Sequence, residues 1–239
     1  MDQGFHTFSS AHIIVLLVLV VITLVIITIG QRTEGRMKIW IGYSVASTAF
    51  ALQLIDLGMR LMNRTLDVLV DLPLFLCDIV AIVLPSVILL ENRKWIGIFY
   101  FWALAGTLQA LITPELRSTY PAFEFFRYFI MHGFIVSAVL YYVIVMRIRI
   151  TWKDLLNAII YAQVYLVAIH IVNMMLRSNY SYTMAKPASA TVLNYFGDWP
   201  WYIFFAEGLM IILFIILLIP FLIIYPNNTG MRDTNPELD

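Results

Sequence analysis

Long apolar runs follow one another along this chain, parted by short stretches where Arg, Lys, Asn, Pro and Gly gather. About 20 apolar helical residues cross the roughly 30 Å of bilayer hydrocarbon. On that measure the runs predict spans at residues 12–29, 39–62, 68–90, 95–113, 123–146, 155–176 and 201–225. Backbone polar groups in lipid must bond within their own segment, and none of these runs alternates apolar with polar positions as a barrel strand does. The expected fold is an all-α membrane protein, seven transmembrane helices forming one polytopic domain over residues 1–239. The first run lacks a basic leader and ends at Gly30-Gln31-Arg32 without a small-x-small site, so it reads as a retained span, not a signal peptide.

Polar positions between the spans set the orientation, because basic loops stay cytoplasmic. One side carries Arg32, Arg36, Lys38, Arg93, Lys94, Arg147, Arg149, Lys153 and Arg232; the other has only Arg64, Arg117, Arg177 and Lys186. The N-terminus is expected outside and the acidic C-terminal tail inside a cell membrane. Trp40, Trp95 and Trp152 then fall at the inner interface, and Trp199 and Trp201 at the outer one.

Composition agrees and narrows the function classes. Hydrophobic residues make up 62% of the chain and charged residues 13%, with a mean hydropathy of +0.86. A formal net charge of +0 offers nothing to a nucleic acid, and membrane lipids are the partners the composition implies. The lone cysteine, Cys77, forms no internal disulfide. The 4 histidines lack metal-ligand spacing and there is no Walker, dinucleotide or kinase motif, so neither a metal nor another cofactor is expected. Every lysine (Lys38, Lys94, Lys153 and Lys186) lies in a loop, which rules out a Schiff-base retinal pigment.

The polar residues inside the spans carry the candidate chemistry. At a rise of 1.5 Å per residue, Cys77 and His132 each lie roughly 14 Å in from the outer ends of their spans. Gln53, Asp56, Arg60, Asp71, Asp78, Gln109, Glu124, Arg127, His170, Asn173 and Glu207 also fall in the outer half or near the midplane. A water-accessible chamber opening outward accounts for that distribution, since ionisable groups in a membrane face the bundle interior or a wet cavity. Gln53, Asp56 and Arg60 share one helix face; Gln163, His170, Asn173 and Arg177 share another. Plainer readings stand beside this one. Asp56 with Arg60, and Glu124 with Arg127, fit helix-stabilising ion pairs; His170 and Asn173 fit interhelical hydrogen bonds; a cysteine in an apolar helix fits a small hydrophobe.

A thiol and an imidazole at one depth support acyl transfer. Imidazole removes the thiol proton, and the thiolate attacks a lipid ester to give a thioester that a second nucleophile resolves. Asp78 either opposes the thiolate or orients His132. Gln109, Asn173 or a backbone N–H freed near Pro73 are the candidate oxyanion donors. The runner-up is a transporter or solute-binding protein using the same chamber, with Asp56, Glu124 and Glu207 carrying ions. The long connection from Arg177 to Pro200 fits a lid over the chamber or a simple connector.

The segments Leu72-Pro73-Leu74-Phe75-Leu76-Cys77-Asp78-Ile79, Gly106-Thr107-Leu108-Gln109-Ala110-Leu111-Ile112-Thr113-Pro114 and His132-Gly133 carry a resemblance, as do Asn179-Tyr180, Lys186-Pro187 and Gly197-Asp198-Trp199-Pro200-Trp201-Tyr202. Together they resemble small bacterial integral membrane proteins of the YwaF type, over nearly the whole chain. More distantly the pattern is similar to the eukaryotic transmembrane protein 164, a phospholipid-remodelling acyltransferase with a cysteine nucleophile. That resemblance implies Cys77 as nucleophile and His132 as its histidine, with Asp78 and Leu76 standing where the eukaryotic pattern has His and Pro.

Overall fold

The computed structural model describes residues 5–116, 118–187 and 192–225. Arg117, Arg232 and the acidic tail, which enter the orientation argument, lie outside the described residues. Among those described there is no β-strand. The helices are α1 (Ser10–Gln31), α2 (Met37–Met62), α3 (Leu76–Leu89), α4 (Arg93–Trp102), α5 (Leu108–Ile112), α6 (Phe123–Val145), α7 (Trp152–Leu176) and α8 (Trp201–Ile224). A π-helical turn, Ala103–Thr107, joins α4 to α5 without a break. Six helical stretches, with Arg93–Ile112 taken as one, are long and apolar enough to cross a membrane.

The third predicted span differs from expectation. Residues 68–90 read as one helix, yet the helix starts only at Leu76 and has 14 residues. Pro73 has no N–H to donate and pushes Leu72 out of helical backbone, so the helix cannot form through this point. Pro85, by contrast, sits inside α3 without ending it.

Helix α6 is the axis of the bundle, with Phe129, Ile135, Ala138, Tyr141 and Tyr142 buried along it. Helices α1 and α2 pack against it through glycines that let backbones approach closely. A methyl group added at Gly42 of α2 would lie 2.6 Å from Tyr142 Cε2, and one at Gly133 of α6 would lie 2.6 Å from Leu19 Cδ2. Helix α4 packs on α7, where Trp102 Nε1 donates to the Ala158 carbonyl at 3.1 Å. Helix α8 leans on α4 through Phe101 and Phe214, whose ring centroids are 5.1 Å apart.

Contacts between loops sort the helix ends into two sets. At one end Arg93 bonds both carboxylate oxygens of Asp154, at 3.0 and 2.9 Å, and Arg149 lies 4.5 Å from the Tyr225 ring centroid. At the other end Arg60 pairs with Asp71 at 2.8 Å, Tyr182 bonds Glu115, and His12 Nε2 bonds the Leu111 carbonyl at 2.8 Å. The second end holds the candidate site.

Candidate functional site

Between α2 and α3 the chain runs in non-helical backbone, and its polar groups are satisfied by neighbouring aspartates and by tyrosines remote in sequence. Asp67 Oδ1 accepts from the Leu69 N–H at 2.9 Å, and Asp71 Oδ2 accepts from the Asp67 N–H at 2.8 Å. The Tyr180 hydroxyl accepts from the Leu72 N–H at 3.0 Å and donates to the Val68 carbonyl at 2.8 Å. The Tyr165 hydroxyl donates to the Leu74 carbonyl at 2.9 Å. Backbone groups outside a helical ladder are satisfied when side chains replace the missing bonds in this way.

This segment delivers Cys77 to the first turn of α3, not to mid-helix. There the N–H groups have no intrahelical partner and the positive end of the macrodipole favours negative charge. Cys77 is partly exposed, and its Sγ lies 3.4 Å from Thr107 Oγ1. Thr107 is 1% exposed and closes the π-helical turn. Single π turns inside α-helices recur at functional sites, because the extra residue re-aims the side chains that follow.

His132 is held by its own helix. Its Nδ1 lies 2.8 Å from the Tyr128 carbonyl, which can only accept, so Nδ1 carries the proton and the Nε2 lone pair is the basic one. The ring stacks on Tyr128 at a centroid distance of 4.2 Å. Tyr128 donates to the Ala110 carbonyl at 2.9 Å. Asp78 does not hold His132: its Oδ2 accepts from the Phe75 N–H at 3.2 Å and closes the start of α3.

The charged residues form a network across three elements. Asp56 and Arg60 pair at 3.0 Å along α2, as their spacing predicts, and Arg60 also grips Asp71 at 2.8 Å. The expected Glu124–Arg127 pair is replaced. Arg127 Nε points across to Asp56 Oδ1 at 3.4 Å, while Glu124 accepts from Ser118 Oγ. An interhelical carboxylate within reach outcompetes the i, i+3 neighbour because it brings the cation into the bundle, where attraction is least screened.

The hydrogen-bond partner of Cys77 is Thr107; among the described residues neither His132 nor the remaining expected members bonds it. Gln109 is exposed. Asn173, fully buried, spends both amide hydrogens on the Tyr180 carbonyl and Thr183 Oγ1, each at 2.8 Å, and its Oδ1 accepts from Ser178 Oγ and the Tyr180 N–H. It organises the turn that presents Tyr180 and has no donor left for an oxyanion. His170 bonds Thr183 Oγ1 at 3.2 Å and lines an apolar groove with Leu166, Trp199 and Ile203. Glu207 is bonded by Gln163 between α7 and α8. Thr107, Tyr165 and Tyr180 were not singled out by polarity or periodicity, although Thr107 and Tyr180 fall within the segments that carry the family resemblance.

The sequence profile of the TMEM164 family matches residues 7–218. The chain belongs to the TMEM164 family. No curated protein and no solved structure matches it. The match to TMEM164 takes in Cys77, Thr107 and His132, together with the whole ion-pair network.

Proposed function

We propose that this TMEM164-family chain is a lipid-directed acyltransferase or hydrolase, with Cys77 as nucleophile and His132 as general base. The observation that supports it most is the place of Cys77: a partly exposed thiol in the first turn of a helix that starts part-way along the bundle, 3.4 Å from a buried hydroxyl. The helix terminus favours negative charge on the sulfur, a base is required to take the thiol proton, and the tautomer of His132 puts its lone pair on Nε2 for that role. In the first half-reaction the thiol proton moves to His132 and the sulfur attacks the ester carbonyl of a membrane lipid. The released lyso-lipid oxygen takes the proton back. An acceptor hydroxyl then resolves the thioester in a transferase, or water in a hydrolase.

The reading includes seven crossings, the N-terminus outside and the site in the outer half of a cell membrane. Helix α3 spans about 21 Å at 1.5 Å per residue, and the bonded segment 68–75 before it makes up the outer part of the third crossing of about 30 Å of hydrocarbon. The quoted motifs favour a bacterial, YwaF-type branch. The ion-carrier alternative is the weaker one, because Asp56 is engaged by two arginines and Glu207 by Gln163. The test compares lipid profiles of cells expressing wild type, Cys77→Ala and His132→Ala. Acyl-chain redistribution that both variants abolish supports the reading; identical profiles count against it.

A further inference from the structure

A groove runs between α7 and α8, lined by Leu166, Val167, His170, Thr183, Trp199 and Ile203. Its polar members are already engaged within the protein. Trp199 Nε1 donates to the Thr183 carbonyl at 3.1 Å, while Thr183 Oγ1 accepts from Asn173 at 2.8 Å and lies 3.2 Å from His170 Nδ1. With those groups taken, the groove offers mainly carbon to an occupant. One turn toward the other end of the bundle, Gln163 bonds Glu207 across the same two helices and bounds the groove there.

What lies outside this groove is hydrocarbon. Val167 of its wall is exposed, as are Val164, Ile171, Met174 and Phe204 around it, on two helices long and apolar enough to cross a membrane. An aliphatic chain suits such a lining. The mouth adds a charge. Lys186 follows Thr183 by three residues, and its Nζ lies 5.8 Å from the ring centroid of Tyr202, the neighbour of Ile203. Its carboxylate partner is Asp198, the neighbour of Trp199, at 4.0 Å, and that side chain is fully exposed. So long and so wet a pair neutralises little of the cation. A lysine at the mouth of an aliphatic slot complements a lipid whose head is anionic.

We infer that this groove is a docking site for an anionic phospholipid such as phosphatidylglycerol, with one acyl chain lying between α7 and α8 and the phosphate meeting Lys186. The site is separate from Cys77, which does not line the groove, and the inference does not draw on that thiol as nucleophile. Thr183 belongs to the turn that carries Tyr180, whose hydroxyl holds the run before Cys77. The docked lipid therefore touches the element that keeps residues 68–75 in place.

The test uses the purified full chain in dodecyl maltoside, titrated with phosphatidylglycerol or phosphatidylcholine brominated on the acyl chains. Bromine quenches indole fluorescence on contact, and subtracting the signal of Trp199→Phe isolates Trp199. Brominated phosphatidylglycerol is expected to quench Trp199 saturably, at a concentration about fivefold below that needed with phosphatidylcholine, the factor one lysine supplies near a membrane surface. Lys186→Gln should erase the preference and Lys186→Arg should keep it. Should Lys186→Gln fail to accumulate, the two lipids compared on wild type and Lys186→Arg decide the matter. Equal quenching by both lipids on wild type overturns the inference in favour of unselective boundary lipid. No quenching by either overturns it in favour of a protein occupant, a second copy or another segment of this chain. A preference that survives Lys186→Gln overturns the placing of the phosphate on Lys186. None of these outcomes bears on Cys77, since the titration involves no acyl transfer.

Discussion

Tyr180→Phe isolates the device that sets Cys77 in place. The ring is fully buried and packs on Phe75 at a centroid distance of 5.4 Å, so phenylalanine preserves the packing and removes only the hydroxyl. That hydroxyl makes bonds of 3.0 Å to the Leu72 N–H and 2.8 Å to the Val68 carbonyl, both partly buried. A bond of this kind contributes about 1 kcal/mol, so the substitution should cost about 2 kcal/mol. For a chain of this size that corresponds to roughly 4–8 °C in apparent Tm. The assay is thermal unfolding in detergent, paired with the rate of Cys77 alkylation; Tyr195→Phe, at a position 87% exposed, serves as control. A loosened 68–75 segment should also change the alkylation rate, because α3 begins where that segment ends. If Tm and the alkylation rate both match the control, the Tyr180 hydroxyl does not hold the segment and the positioning argument is wrong.

Asn173→Leu strands the Tyr180 N–H and carbonyl together with Ser178 and Thr183. At about 1–3 kcal/mol for an unsatisfied buried group, its fall in Tm should exceed that of Tyr180→Phe, and a smaller fall would contradict the turn's role. Arg127→Leu removes the cation facing Asp56, at a cost of about 3 kcal/mol for a broken, mostly buried pair; adding Asp56→Asn should recover part of it in the same unfolding assay, and no recovery would show that the two do not pair. For topology, single cysteines at Thr65 and Lys94 in a Cys77→Ala background should label on opposite sides of intact cells with a membrane-impermeant maleimide, the Thr65 position from outside. Labelling of both from one side would refute the alternation of helix ends.

The long apolar runs at 12–29, 39–62 and 123–146 were legible because hydropathy and length alone define them, and the structure places helices over each. Residues 68–75 misled for the same reason. Val68-Leu69-Val70 is as apolar as a helix, yet it forms a single turn, with the Val70 and Asp71 N–H groups on the Asp67 carbonyl and the Val68 carbonyl held by the Tyr180 hydroxyl. Spacing alone proposed the Asp56–Arg60 pair correctly but set Arg127 against Glu124, since no rule of periodicity weighs a carboxylate on another helix. The Arg177–Pro200 connection read as lid or spacer, and its described part is a clamp, with Tyr180 and Ser181 bonded to the run before Cys77 and to Tyr165. Equal depth brought Cys77 and His132 to notice. Thr107 stayed hidden because a π turn has no polarity signature.

Intact-mass spectrometry of the purified protein after incubation with a phospholipid tests the central claim most directly. The account predicts a mass increase of one acyl group on Cys77, removed by hydroxylamine, absent in Cys77→Ala and formed more slowly in His132→Ala. An adduct that persists in Cys77→Ala, or none on wild type when lipid is in excess, would contradict it.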